Sequence, residues 1–369
     1  MSESETVADS LRRAGRSISR APQTGLVLVL LAVGAGLGLA AGTHADPITG
    51  AKVNNFLNAH TLIQMATDAS GFAIMGVGAT LVIISGGIDL SVGAIYALAG
   101  VTMAMVLRAA GPLPPAVTVA AGFSTCLLVS LVCGLANGVM VVGLRVHPFI
   151  ITLGTMWMLR GIAFVTSHAE SILVPGSLTA VAKASLGLNA SLYPVPLLAM
   201  LLVTALGSVY LTRTVMGRHI FAVGGNAEAS RFAGLRVPRI RLGVFIVSGL
   251  AAGVAAFLGA SFYGSATSSD ANGYELYVIA SAVVGGASLS GGKGSALSAM
   301  LGALLIVLIR QAIRTLHLDQ NFEWIIIGGA MIVAVVFDQG GTALLARRRT
   351  ALTASAPSQG SAPNHTEEP

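Results

Sequence analysis

Residues 69–88 read ASGFAIMGVGATLVIISGGI, twenty uncharged residues held between Asp68 and Asp89. A helix needs about 20 apolar residues to cross a hydrocarbon core of about 30 Å, and this run supplies that length, its glycine pair falling only at the end. Eighteen further uncharged residues, 90–107, follow before Arg108. Two such segments in succession describe an all-α membrane protein, and the rest of the chain repeats the pattern. Uncharged intervals predict a polytopic bundle of ten transmembrane helices at about 25–42, 69–88, 90–107, 116–143, 148–166, 194–212, 242–264, 275–290, 294–310 and 323–340.

Composition agrees. Of 369 residues, 54% are hydrophobic and 10% charged, and the mean hydropathy is +0.81. Soluble domains carry about 25% charged residues, so an ordinary soluble enzyme, a disordered chain and a secreted disulfide scaffold are all excluded. Forty-five glycines suit helices that approach closely in a membrane. An aromatic content of 5% argues against the girdled β-barrel. Cys126 and Cys133, seven apart on one apolar run, sit roughly 10 Å apart along a helix axis, too far to bridge. They read as small buried hydrophobes, and no metal site is expected.

Lys and Arg placement sets the orientation. With the N-terminus inside, the inner segments hold fifteen of the 21 cations: Arg12, Arg13, Arg16, Arg20, Arg145, six arginines between 213 and 241, Lys293 and Arg347–Arg349. The outer segments hold Lys52, Arg108, Lys183, Arg310 and Arg314, and Arg160 falls inside a span. Both termini are therefore expected on the cytoplasmic side. The expected organisation is a cytoplasmic segment 1–24, a permease domain 25–340 with a cytoplasmic loop 213–241, and a disordered Ser/Ala/Pro-rich tail 341–369. The basic start, apolar run and Thr43-His44-Ala45 also resemble a secretory signal, but eighteen uncharged residues exceed a usual 7–15-residue h-region.

No nucleotide site is found. Gly285–Gly294 has the look of a phosphate loop but fails it, since such a loop needs Gly, four residues, then Gly-Lys-Ser/Thr, and residue 294 is glycine. Two segments echo each other instead: Gly86-Gly87-Ile88-Asp89-Leu90-Ser91-Val92-Gly93 and Gly285-Gly286-Ala287-Ser288-Leu289-Ser290-Gly291-Gly292. Two readings stand. Each glycine pair interrupts a helix that lines a cavity, with Asp89 and Ser91 offering polar contacts, or each is a tight turn whose serine caps the next helix. Ionisable groups in apolar stretches are often functional; Asp68, Asp89, Arg160 and Glu275 qualify, with snorkelling the blander reading for Arg160 and Glu275. No second acid lies at helical spacing from Asp89, which weakens an ion-coupled secondary transporter as the alternative.

In the loop between the sixth and seventh spans, Asn226 suits an N-cap, Glu228 a first turn and Gly234 a helix stop. A short helix of about two turns is expected at the cytoplasmic surface, with Phe232 and Leu235 forming a small apolar face and Glu228 and Arg231 on one side. It either lies on anionic lipid or docks in a groove of a partner.

These pieces together resemble the permease subunits of bacterial ABC importers for monosaccharides, the ribose/xylose/galactoside type of the branched, binding-protein-dependent transport family. The resemblance is carried by Gly86–Gly93, Thr152-Leu-Gly-Thr155 with Arg160-Gly161, Gly217–Asn226 through Arg231, and Gly273-Tyr-Glu-Leu276 followed by Gly285–Gly294. It implies a type II-like importer permease in the bacterial inner membrane that does no covalent chemistry and needs no cofactor. It implies as partners a second permease copy, a cytoplasmic ABC ATPase subunit, a periplasmic sugar-binding protein and membrane lipid, with no nucleic acid. By the same resemblance Gly225, Asn226, Glu228, Arg231, Phe232 and Gly234 belong to the ATPase-coupling helix. Gly86, Gly87, Asp89, Ser91, Glu275 and Ser288 are the candidate translocation-path residues. Two places depart from the family pattern: Asp68, where members carry a neutral residue, and Ile309–Arg314, which replaces an Asn-Gly-Leu pattern.

Overall fold

A computed structural model describes residues 22–45, 50–187, 192–333 and 335–336 of the chain. The expected cytoplasmic start (except residues 22–24), the tail 341–369 and the last residues of the tenth span lie outside the described residues. Helices occupy all ten expected positions: α1 (Pro22–Ala40), α2 (Ala59–Ile84), α3 (Val92–Ala110), α4 (Pro115–Leu144), α5 (Pro148–Ser167), α7 (Val195–Arg213), α10 (Val237–Tyr263), α11 (Tyr274–Val284), α12 (Ala296–Thr315) and α13 (Phe322–Val333). Between them lie α6 (Gly176–Ala182), α8 (Val215–Gly225) and α9 (Ala227–Phe232). Two small antiparallel pairs complete the described elements. β1 (Thr43–Ala45) pairs with β2 (Lys52–Asn54), and β3 (Ile172–Leu173) with β4 (Ser265–Ala266).

Eight of the helices are long and apolar enough to cross a membrane. The expected spans 275–290 and 323–340 are not among them; the second is described only over its first part, as α13. Helix α11 has 11 residues, about 16 Å at 1.5 Å per residue, roughly half the hydrocarbon core. Gly285 and Gly286 end it, and 285–295 run as an irregular segment before α12. The charge-free interval was a sound guide to hydropathy but passes straight through the glycine pair.

Helix α2 is the centre of the bundle, buried for most of its length, with α10, α12, α7 and α11 packed around it. The main core joins Phe72, Ile74 and Met75 of α2 to Ile95 and Met103 of α3, Phe257 of α10 and Ile306 of α12. The most extensive pairing is α4 on α10, and its cause is legible in the residues. Gly134 and Gly138 of α4 face Phe245 and Leu242 of α10, while Gly249 of α10 faces Gly134 in return. Small residues four apart let the two backbones touch, which is where membrane helices gain contact energy. The outward faces of α4, α5 and α7 carry Leu128, Val132, Trp157, Val165, Leu202 and Leu206, all exposed, as the lipid-facing side of a bundle should.

Candidate functional site

The two glycine-pair segments close their helices in the same way. At the end of α2, Gly86 N–H donates to Ile83 and Gly87 N–H to Val82; at the end of α11, Gly286 donates to Val283 and Ala287 to Ala282. Both are Schellman closures with glycine in the left-handed position, at φ +83° and +94°. By geometry Gly86 therefore corresponds to Gly286, one residue out of step with the sequence echo. The serine cap is corrected as well. Ser91 occupies the N-cap of α3 without a side-chain cap bond, and α12 is preceded by Ser295.

What Ser91 does instead defines the first half of the site. Asp89 is 1% exposed. Its Oδ1 accepts from Ser91 N–H at 3.0 Å and Ser91 Oγ at 2.6 Å, and its Oδ2 accepts from Ser248 Oγ of α10 at 2.8 Å. Asn137 Nδ2 of α4 donates to Ser91 Oγ at 2.7 Å. A buried carboxylate needs such donors, and here they tie the α2–α3 break to α4 and α10. The carboxylate is enclosed by them. Asn137 and Ser248 were missed from sequence, although Asn137 is the one carboxamide in the uncharged run 116–143 and a signal of its own.

The second half is a meeting of backbones. Gly224 and Gly225, the last residues of α8, lie against both breaks. A methyl group added to Gly224 would collide with the Ile84 carbonyl and lie 2.6 Å from the Gly292 nitrogen. One added to Gly291 would lie 2.7 Å from the Gly224 oxygen and 3.2 Å from Cα of Gly86. Gly292 N–H donates to the Ile84 carbonyl at 2.8 Å. Main chain thus touches main chain at one junction of α2, α8 and the 285–295 segment, with no side chain able to fit between. Ser288 is buried beside it, its N–H donating to Lys293 O.

The junction leads directly into α9. Asn226 caps this helix, its Oδ1 accepting from Ala229 N–H at 2.9 Å. Gly234, at φ +84°, closes it with Gly234 donating to Arg231 and Leu235 to Ser230. Cap and stop are where the sequence puts them. The loop is otherwise richer than expected, because the eleven-residue α8 precedes the six-residue α9. The expected apolar face of Phe232 with Leu235 does not form: the closing turn sends Leu235 into a core with Val141, Ile220 and Val244, while Phe232 stands 85% exposed. Glu228 and Arg231 are both exposed, and no ion pair joins them among the described residues.

Glu275 lies elsewhere, near the start of α11. Arg160 does not snorkel. It is 8% exposed, and its guanidinium donates to the carbonyls of Ser268 at 2.8 Å, Asp270 at 2.6 Å and Ala271 at 3.2 Å. These carbonyls belong to the irregular 267–273 segment that leads into the half-length α11. Non-helical backbone inside a membrane protein needs internal donors, and Arg160 supplies them. Glu275 Oε2 is buried without a hydrogen-bond partner, in space left open by Gly93.

Beyond it, the two departures from the family pattern come together. Asp68 of α2 lies 3.7 Å from Arg314 of α12, and Arg310 Nε lies 2.7 Å from Glu323 Oε1 of α13. Arg310 also stands 5.6 Å from the Phe72 ring and 5.1 Å from the Tyr277 ring.

Comparison with known proteins places this architecture. The family model described as branched-chain amino acid transport system / permease component matches residues 61–335. The chain is 36% identical over 286 residues to the D-allose transport system permease protein AlsC of Escherichia coli, covering 77% of this chain and 85% of that protein. It is 35% identical over 285 residues to the ribose import permease protein RbsC of Haemophilus influenzae, covering 77% and 86%. Against the fructose import permease protein FrcC of Rhizobium meliloti it is 31% identical over 289 residues, covering 77% and 79%.

Proposed function

The chain belongs to the branched-chain amino acid transport system / permease component family, and from that premise we propose that it imports a monosaccharide or related polyol through a pair of identical copies. It is a multi-pass inner-membrane permease subunit of an ABC importer, and it hydrolyses no ATP itself; a separate ATPase subunit does so. The cargo class is supported by relatives whose names give D-allose, ribose and fructose. A periplasmic sugar-binding protein selects that cargo.

The observation that carries the mechanism is the glycine junction. The ATPase grips α9 through Phe232, Glu228 and Arg231 at the cytoplasmic face. Because Gly224 and Gly225 precede the Asn226 cap and press on Ile84, Gly86, Gly291 and Gly292, a displacement of α9 reaches both helix breaks through main chain alone. Asp89 holds the first break to α4 and α10, so the network of Asp89, Ser91, Asn137 and Ser248 sets the resting position of Gly86 and Gly87. Glu275 stands at the start of the half-length α11 and Ser288 in the irregular segment after its end, and both move with it. Both termini lie in the cytoplasm.

The test is reconstitution of the permease with its ATPase and binding protein in proteoliposomes. Uptake of a labelled monosaccharide is expected to require ATP and both partner proteins. Uptake by the permease alone under a proton or sodium gradient overturns the reading.

A further inference from the structure

Beside the glycine junction, and outside anything used above for coupling except Gly86 and Arg231, lies a cavity of about 840 Å³. Three of its lining residues are arginines, Arg145 at the end of α4, Arg231 on α9 and Arg241 on α10, and His147, whose Nδ1 accepts from Phe149 N–H, lies beside them. No acid lines it, and among the described residues none of the three arginines enters an ion pair or a side-chain hydrogen bond. The remaining wall is apolar, from residues such as Val141, Pro148 and Val237. Cationic groups gathered without counter-charge favour an anion, and arginine suits a phosphate because its planar fork bonds two oxygens at once.

The apolar surroundings decide which anion. Leu144 is 63% exposed and Ile150 59%, so exposed apolar residues flank Arg145 and His147 at the ends of α4 and α5. A cavity basic in one part and apolar in the rest, with exposed apolar residues beside it in the chain, matches a phospholipid better than a free ion or a carboxylate-bearing protein segment. Basic pockets between helices on the cytoplasmic side bind anionic head groups in this way. We propose that the cavity holds the phosphate of an anionic phospholipid, bound by Arg145 and Arg241, with its glycerol and upper acyl chains along the apolar wall. The inference rests on the cytoplasmic placement proposed above. Since Arg231 stands on α9 and Gly86 also lines the cavity, a bound lipid steadies the docking helix against the junction.

The test uses the permease–ATPase complex reconstituted in phosphatidylcholine vesicles with and without phosphatidylglycerol, then extracted for native mass spectrometry. Retained phosphatidylglycerol, with no retained phosphatidylcholine, is the expected result. Each arginine near an anionic surface contributes roughly fivefold in affinity, so Arg241→Gln should lose about fivefold and Arg145→Gln with Arg241→Gln about 30-fold. Replacing both by lysine should preserve most of the binding. Equal phosphatidylglycerol retention by the wild type and a folded double Gln variant overturns the proposal. So does complete displacement by millimolar inorganic phosphate, which marks a small-anion site. Loss of the ATPase with unchanged lipid retention also overturns it, assigning the cavity to an acidic protein segment. Should the double variant fail to fold, Arg241→Gln alone decides. Sugar uptake is not a readout, so failure here is distinguishable from failure of the importer reading.

Discussion

The backbone N–H of Gly292 donates to the carbonyl oxygen of Ile84 at 2.8 Å, joining the end of one membrane helix to a segment two hundred residues later, directly beside Gly224. Contacts between main chains have no rotamers with which to absorb a displacement. They therefore leave less slack than side-chain contacts do.

Gly224→Ala tests that directly. The added methyl has no space against Ile84 and Gly292, and forced overpacking typically costs about 1–3 kcal/mol. A bias of about 1.4 kcal/mol between two positions of the junction alters their ratio about tenfold. ATP-driven uptake should fall by about that factor while the ATPase still co-purifies. Gly225→Ala serves as a milder control, since its own added methyl meets nothing nearby.

Phe232→Ala should leave the fold untouched, because an exposed surface substitution usually moves stability by less than about 0.5 kcal/mol. If Phe232 is an interface anchor, its loss weakens ATPase binding by about 2 kcal/mol, roughly 30-fold. Asn226→Ala acts on the helix instead, at about 0.5–2 kcal/mol for a lost cap, and Asn226→Asp should rescue it. Titration of the ATPase onto nanodisc-held permease reads both.

Asp89→Ala strands the Ser91 N–H in a buried place, an effect of about 1–3 kcal/mol on stability, and loosens the first break from Ser248. Uptake should drop while ATPase binding survives. Normal uptake at equal protein level would leave Asp89 with a packing role only.

Arg160→Leu leaves the carbonyls of Ser268 and Asp270 without their donor, each worth roughly 1–3 kcal/mol when unpaired in the interior, while the Ala271 carbonyl keeps the Tyr274 N–H. The variant should melt well below the wild type in detergent. Arg160→Lys should recover part of the loss, since an ammonium cannot span all three oxygens with a fork.

Reporter fusions after Arg218 and after Arg348 should report cytoplasm, and one beside Lys183 periplasm. A periplasmic signal from the 213–241 loop would overturn both the docking of α9 and the orientation on which the lipid cavity rests.

What could be read from the sequence follows the range of the forces involved. Membrane spans were legible because hydropathy is a property of each segment alone. The Asn226 cap and the Gly234 stop were legible because each closes a hydrogen bond within a few residues. Phe232 and Leu235 do not share a face because a Schellman turn lies between them and breaks the helical spacing. Helix α11 was overextended because glycine barely lowers hydropathy while it ends a helix. The junction and the Asp89 network were not legible as such. Ser248 is 159 residues from Asp89, and nothing local announces that Gly224 will meet Ile84. The echo of the glycine pairs pointed to the right place without giving the contact.

Arg160 carries a consequence for biosynthesis. Its carbonyl partners lie 108–111 residues further along the chain. At about 5–20 residues per second, α5 waits roughly 5–20 s beside the insertion machinery before they exist. An arginine at a helix centre disfavours lipid by about 2.5–3.5 kcal/mol even on insertion scales, so α5 is expected to linger at the translocon until α10 and the segment after it arrive. A nascent chain truncated before residue 267 keeps that guanidinium bare, and the quality-control proteases of the membrane should recognise it as unfinished.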